Sequence, residues 1–340
     1  MAEEQRSVYF VTLGMFIIDE FTFADEDGIP TGKDVSPQES GGGTYAAIGS
    51  RIWLPAEQNA MVVDKGKDFP EEIEKQLLGY GRAMWAFRQQ PASGTTRALN
   101  SYLGEHRNFE YLTPRIRITP KDLPSVGISK PATLHFICSP ARASEIVSEV
   151  EQVEGWSPTM IYEPIPDRCI PEELQALRRV LHAISILSPN AEEALSMLSM
   201  PLPPSKAAIE QAADTFLGFG VGPEDTGSVV IRSGGLGAYV KSRSRVGEWV
   251  EAYWSEKDER KIVDVTGAGN SFLGGLAAGL LLSKGDVLEA AYYASVSASF
   301  VIEQQGLPTL LEKDGGASWN GDSPQRRVDE LRSRHKRTDN

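Results

Sequence analysis

The chain has 340 residues, 41% of them hydrophobic and 24% charged, with a formal net charge of −13. That length and balance suit a globular α/β protein of one large or two smaller domains. The acidity argues against a general nucleic-acid binder, because phosphate backbones attract basic surfaces.

Two cysteines, Cys138 and Cys169, make neither a disulfide framework nor a metal-ligand spacing, so a reducing, cytoplasmic setting is expected. The acidic start, Met1 to Arg6, reads as neither a signal nor a transit peptide. The longest apolar stretch, Phe272 to Leu282, is too short to span a bilayer. No membrane partner is expected.

Tyr9 to Gly14 reads as a buried first strand. Residues 20–40 are acidic and punctuated by Gly28, Pro30, Gly32 and Pro37, which suits an exposed hairpin or lid. Thr44 to Leu54 has apolar positions at helical spacing, Ala60 to Val63 is a short strand, and Glu71 to Tyr80 is an amphipathic helix. Met84 to Phe87 and Phe109 to Ile118 suggest further strands. Thr133 to Cys138 is a buried strand, followed by a helix over Ala143 to Val153.

The second half alternates plainly. Strands are expected at Thr159 to Tyr162, Ile184 to Leu187, Ser228 to Ile231 and Ala238 to Lys241. Helices are expected at Pro171 to His182, Ala191 to Ser199 and 205–218. Such alternation predicts a mainly parallel sheet with helices on both faces. The segment 313–340 is polar, then basic around Arg326 to Arg337, and is read as a solvated tail beyond a domain spanning 1–312.

The stretch Val263-Asp264-Val265-Thr266-Gly267-Ala268-Gly269-Asn270-Ser271-Phe272 carries the most chemistry. A β-branched run ends in a glycine turn that opens onto an apolar helix. That order gathers free backbone N–H groups and the positive end of a helix dipole, which bind phosphate. A dinucleotide fingerprint fits poorly: the third glycine is displaced to Gly274, and no acidic residue ends a following strand to hold a ribose.

Further motifs stand in order around that turn. They are Leu13-Gly14 with Asp19, Gly41-Gly42-Gly43-Thr44-Tyr45-Ala46-Ala47, Pro189-Asn190-Ala191-Glu192-Glu193, Ile231-Arg232-Ser233-Gly234-Gly235-Leu236-Gly237 and Gln305-Gly306-Leu307-Pro308. Together with the glycine turn, which is similar to Asp-Thr-x-Gly-Ala-Gly-Asp, the set resembles the PfkB/ribokinase carbohydrate kinases over nearly the whole chain. The fungal maintenance-of-killer-like branch is the narrower match.

The resemblance implies a ribokinase-like three-layer αβα sandwich with a small β lid, its elements at about 20–40 and 95–118. It implies ATP-dependent phosphorylation of a hydroxymethyl group on a sugar, nucleoside or related small molecule. On this chain it assigns the anion hole to Gly267, Ala268 and Gly269, and the substrate contacts to Asp19, Gly42, Gly43 and Tyr45. Asn190, Glu193, Arg232, Gly234 and Gly237 take the nucleotide side, with Glu193 meeting magnesium through water. Asp264 falls in a region tied to a monovalent cation such as potassium, and a homodimer through the lids is compatible with the resemblance.

Plainer roles stay open. Asn190 and Glu193 have the spacing of a helix capping box, Asp19 could be an ordinary strand-end aspartate, and the glycines at 41–43 could serve only a tight turn.

Four departures matter. Asn270 stands where the family carries its catalytic aspartate, and an amide accepts no proton near neutral pH. Losing a positioned base costs about 10²–10⁴ in rate. A degenerate nucleotide-binding or scaffold protein is therefore the alternative to an active kinase. Arg232 replaces a usual threonine, where it could grip a phosphate or form a structural ion pair. Cys138-Ser139-Pro140 and Tyr45-Ala46 replace polar groups that hold sugar hydroxyls. Arg107 is open between an anionic-substrate contact and a solvated strand position.

Overall fold

The computed structural model describes residues 6–26, 29–32, 38–103, 106–313 and 316–338. Residues 27–28 and 33–37 of the expected lid segment lie outside that set, as does the side chain of Arg107.

Short strands, buried on both faces at the centre and partly exposed at the two edges, line up into a nine-stranded sheet. From one edge its order is Arg245–Val250, Ala238–Ser242, Ser228–Arg232, Ile186–Leu187, Thr159–Pro164, Thr133–Cys138, Phe10–Thr12, Asn59–Gly66 and Trp85–Gln90. The first two pairings are antiparallel and all the others parallel. Parallel strands need covering on both faces, and helices supply it. Gly42–Arg51, Ala268–Leu282 and Val287–Val301 pack on one side around Phe10, Met61 and Phe300. Pro140–Glu151, Leu174–Val180, Ala191–Met197 and Lys206–Gly218 cover the other around Phe136, Tyr162 and Phe216. This is the three-layer α/β architecture expected from the alternation.

The helix Ala268–Leu282 is held close to Gly42–Arg51 by small residues. A methyl group on Gly274 would come within 1.9 Å of the Ala46 carbonyl, and one on Gly49 within 2.1 Å of the Ser271 carbonyl. That contact fixes the glycine turn relative to the sheet. A second, four-stranded sheet runs Gln38–Ser40, Ile17–Ala24, Arg97–Leu103, His106–Tyr111.

Several boundaries differ from the sequence reading. The strand expected over Phe109 to Ile118 stops at Tyr111, since Pro114 interrupts it. The helix expected over Pro171 to His182 is one α segment, Leu174–Val180, flanked by 3₁₀ turns. Val287–Val301 is a buried helix that the periodicity did not reveal.

The segment beyond 313 is not a solvated tail. Trp319 is fully buried and stacks on Tyr80 at 5.9 Å, and Val328 and Leu331 of the helix Pro324–Thr338 join the core. Arg327 lies 3.8 Å over the Phe300 ring and pairs with Glu303 and Asp322. Among the described residues no helix is long and apolar enough to cross a membrane.

Candidate active site

In a parallel sheet the strand C-termini face one crevice, where ligands bind. Thr12, Glu163, Ser188 and Arg232 stand at or just beyond the C-terminal ends of four strands, and His135 is midway along a fifth, Thr133–Cys138, the five strands being neighbours. Thr12 Oγ1 and His135 Nδ1 share a hydrogen bond of 3.0 Å. His135 Nε2 lies 3.6 Å from Glu163 Oε2, and Arg232 Nη2 pairs with Glu163 Oε1 at 2.8 Å. Arg232 Nη2 also donates to the Ser188 carbonyl at 3.0 Å and lies 3.7 Å from Glu193 Oε2. Burial alone would push the Glu163 carboxyl up. The Arg232 charge and the His135 contact outweigh it and hold Glu163 below its ordinary value, hence ionised.

The glycine turn sits against this cluster. Gly267 caps the helix Ala268–Leu282 with φ +76, a conformation that suits glycine. Ser271 N closes the first turn onto the Gly267 carbonyl at 2.8 Å. Ala268 N donates to the Val265 carbonyl at 3.2 Å, so that amide is turned inward. Among the described residues the N–H groups of Gly267, Gly269 and Asn270 have no protein acceptor. The amides left without a protein acceptor among the described residues are therefore Gly267, Gly269 and Asn270, whereas the sequence pointed to Gly267, Ala268 and Gly269.

Arg232 leans over that turn. A methyl group on Gly269 would meet Arg232 Nη1 at 2.1 Å. Only a residue without a side chain lets the guanidinium lie so close to the helix start. Arg232 is thus neither on the surface nor free: it is buried and ion-paired, with its guanidinium against Gly269.

Asn270 Nδ2 donates to Glu163 Oε2 at 2.7 Å. The same amide lies over Gly42, where an added methyl group would approach Nδ2 to 3.1 Å. Two cavities flank this contact, Gly42 lining one and Gly269 the other. The larger, about 610 Å³, is lined among others by Gly14, Gly42, Tyr111, Arg115, Arg117 and Cys138. The smaller, about 200 Å³, is mainly apolar and lined among others by Gly234, Gly237, Trp254, Val265, Gly269 and Phe272. Ile262 and Val265 on its rim are exposed apolar side chains, 36% and 67% accessible. Burial pushes the Cys138 thiol up to about 12, so no thiolate faces the larger cavity.

Other expected residues fall as follows. Asp19 is buried in the Ile17–Ala24 strand, next to Ile17, which lines the larger cavity. Tyr45 does not face that cavity. Its ring lies beneath Gly267, where a methyl group would strike it at 2.2 Å, and the side chain belongs to the core. Gly43 serves close packing, facing the Gly14 carbonyl. Asn190 and Glu193 form a capping box: Glu193 N donates to Asn190 Oδ1 at 2.8 Å, and Asn190 N to Glu193 Oε2 at 2.7 Å.

Asp264 Oδ1 accepts from Thr266 N at 2.9 Å. No group of three or more His, Cys, Asp or Glu side chains able to hold a metal exists among the described residues. A cation meeting a single carboxylate such as Glu193 would keep most of its own water shell.

Glu163 went unnoticed in the sequence. The available signal was a lone carboxylate ending a strand buried on both faces, just before Pro164.

The fragment 143–314 matches the description pfkB family carbohydrate kinase. An uncharacterized protein of Schizosaccharomyces pombe is 33% identical, the match covering 96% of this chain and 93% of that one. The chain belongs to the pfkB family.

A second relative, protein MAK32 of Saccharomyces cerevisiae, is 30% identical over 92% of this chain and 88% of its own. Ribokinase from Giardia lamblia shares the pfkB fold with a TM-score of 0.68 at 19% identity, over 95% of this chain and 99% of its own. Arabidopsis thaliana ribokinase, solved with ribose and ATP, superposes with a TM-score of 0.63 at 15% identity, over 96% of this chain and 98% of its own. Within this pfkB frame, the helix start carries the amide of Asn270, which donates to the strand carboxylate of Glu163.

Proposed function

We propose that this pfkB protein transfers the terminal phosphoryl group of ATP to a hydroxymethyl group of a sugar, nucleoside or related small molecule. The observation that carries this reading is the position of the Gly267–Asn270 turn. Its three amides without a partner among the described residues lie between an apolar cavity sized for a base and a larger, more polar one.

Adenine would enter the smaller cavity against Trp254, Val265 and Phe272. The Arabidopsis ribokinase with bound ATP makes that nucleotide the natural occupant. The acceptor would lie in the larger cavity, with the four-stranded sheet as its lid and Asp19 on the near strand. Every residue in this scheme comes from a single chain.

Phosphoryl transfer is mostly positioning plus charge stabilisation. The amides of Gly267, Gly269 and Asn270 would hold the charge that develops on the transferred group, as an oxyanion hole does. Arg232 would add a cation beside them. Magnesium carried in on the nucleotide would neutralise phosphate charge, and Glu193 is the carboxylate placed to meet its water shell.

A titration with an ATP analogue and magnesium, then a screen of polyols and nucleosides for ATP-dependent phosphorylation, tests the reading. Binding with turnover of one acceptor supports it. Folded protein that turns over nothing across the screen refutes it. The second reading, a nucleotide-binding protein without turnover, is favoured by Asn270, whose amide takes no proton. Nucleotide binding with a blank screen would support that reading instead.

A further inference from the structure

Asn270 has two faces, and the structure uses one of them. Its Nδ2 donates to Glu163 Oε2 at 2.7 Å. An ionised carboxylate only accepts hydrogen bonds, so the amide must turn its nitrogen toward Glu163. Its oxygen then points elsewhere. Among the described residues no protein donor meets Asn270 Oδ1, and the side chain lies over Gly42, a residue that lines the larger cavity. The groups that face Glu163 hold it in place. They are Arg232 at 2.8 Å and His135 at 3.6 Å, while Glu193 and Cys169 stand further off around the same guanidinium.

We propose that Glu163 is a positioning residue of the transfer reaction: by claiming Nδ2 of Asn270 it commits Oδ1 to accept the hydrogen bond of the acceptor hydroxyl. The proposal rests on the kinase reading above. The hydroxyl oxygen forms its new bond to the terminal phosphorus of ATP. The bond from that phosphorus to the bridging oxygen breaks, and its electron pair leaves with ADP. Asn270 orients the hydroxyl without taking its proton, which passes to a non-bridging oxygen of the transferred phosphoryl group and from there to water. The Glu163–Asn270 pair is thus an aspartate-bearing helix start with the charge moved to the partner: carboxylate on the strand, amide on the helix.

That symmetry gives a test by exchange. Asn270→Asp alone sets two carboxylates at hydrogen-bond distance, where both cannot stay ionised. Glu163→Gln alone leaves two amides, so the orientation of Asn270 is no longer imposed. The double variant Glu163→Gln/Asn270→Asp restores a donor facing a carboxylate, now with the charge on the helix. The kinetic constants for the acceptor found in the screen, and the melting temperature, are measured for all four proteins.

The expected result is a fall in kcat of about 10²-fold in each single variant, typical of a misplaced reacting group. KM for ATP stays within about threefold, by the same reasoning that positioning acts on kcat. The double variant recovers most of kcat and melting temperature. Losses that simply add, with the double variant as poor as the product of the singles, overturn the positioning role and leave the kinase reading intact. A parent that binds ATP and phosphorylates nothing defeats the kinase reading, and the positioning role falls with it.

Discussion

Arg232→Met is the sharpest probe of the buried cluster, because methionine keeps much of the side-chain volume and removes only the charge and its hydrogen bonds. It would leave Glu163 buried with Asn270 Nδ2 at 2.7 Å and His135 at 3.6 Å as its remaining polar contacts. It would also free the Ser188 carbonyl, which now accepts from Arg232 at 3.0 Å. Removing one partner of a buried pair costs about 3–5 kcal/mol, and the two surviving contacts argue for the lower end, about 3. With about 2.1 cal/mol/K of unfolding entropy per residue, a chain of this length loses about 4 °C of melting temperature.

The pH dependence gives the sign. In the parent, Glu163 is held below its ordinary value, so it stabilises the fold above about pH 4.3 and loses that contribution as pH falls through the lowered value. In Arg232→Met burial acts largely unopposed and raises the folded value, so a penalty grows as pH rises above about 4.3. The gap between the two proteins is therefore widest near neutrality and shrinks on acidification. Scanning calorimetry at several pH values reads it. Arg232→Met combined with Glu163→Gln should recover most of the loss, since a neutral pair leaves no stranded charge. A single variant that melts within about 1 °C of the parent at pH 8, against the 4 °C worked from the entropy, would refute the reasoning.

Three further outcomes follow from the packing. Gly267→Ala imposes about 1–2 kcal/mol of left-handed strain and drives a methyl group into Tyr45, so melting falls and nucleotide binding is lost in calorimetric titration. Arg327→Ala breaks its bond to Ser299 Oγ and its pair with Glu303, which also holds Trp254 Nε1 at 2.9 Å. Because Ser299 and Trp254 line the smaller cavity, the dissociation constant for ATP should rise about fivefold, or about 1 kcal/mol. Truncation after residue 314, where the family match ends, removes Trp319, Val328 and Leu331 from the core. Circular dichroism and gel filtration should then show an unfolded or aggregated chain, and a folded, monodisperse one would contradict the packing described.

The parts legible in the sequence are those governed by local pattern. Thr133–Cys138 and Ser228–Arg232 announce themselves as β-branched or apolar runs, and the turn at Gly267 as a glycine cluster before an apolar helix. What stayed hidden depends on distance along the chain. Glu163 gains its meaning from Asn270, 107 residues away, and from Arg232. Val287–Val301 is buried nearly all round, so its alanines and serines show no amphipathic contrast to read. The helix Pro324–Thr338 anchors through Val328 and Leu331 at i, i+3 spacing amid charges, with the buried Arg327 beside them, and its composition reads as solvent-facing. Tyr45 sits among motifs that point to the substrate, whereas its size suits it to fill the space under a glycine.

Two charge changes at the site act in the same direction. Compared with the pattern it resembles, the helix start has one carboxylate fewer, at Asn270. The nucleotide turn has one cation more, at Arg232, held by Glu163 beside Gly269. Both changes favour holding a polyanionic phosphate over withdrawing a proton from a hydroxyl. Electrostatic attraction common to the bound substrate and the transition state lowers KM without raising kcat. Under the kinase reading, ATP should therefore be bound well and turned over slowly, and the binding-only reading makes the same prediction for affinity. Nucleotide affinity cannot separate the two readings. Turnover can, and in the single variants Glu163→Gln and Asn270→Asp it is kcat, not the dissociation constant, that falls if the reaction takes place at this turn.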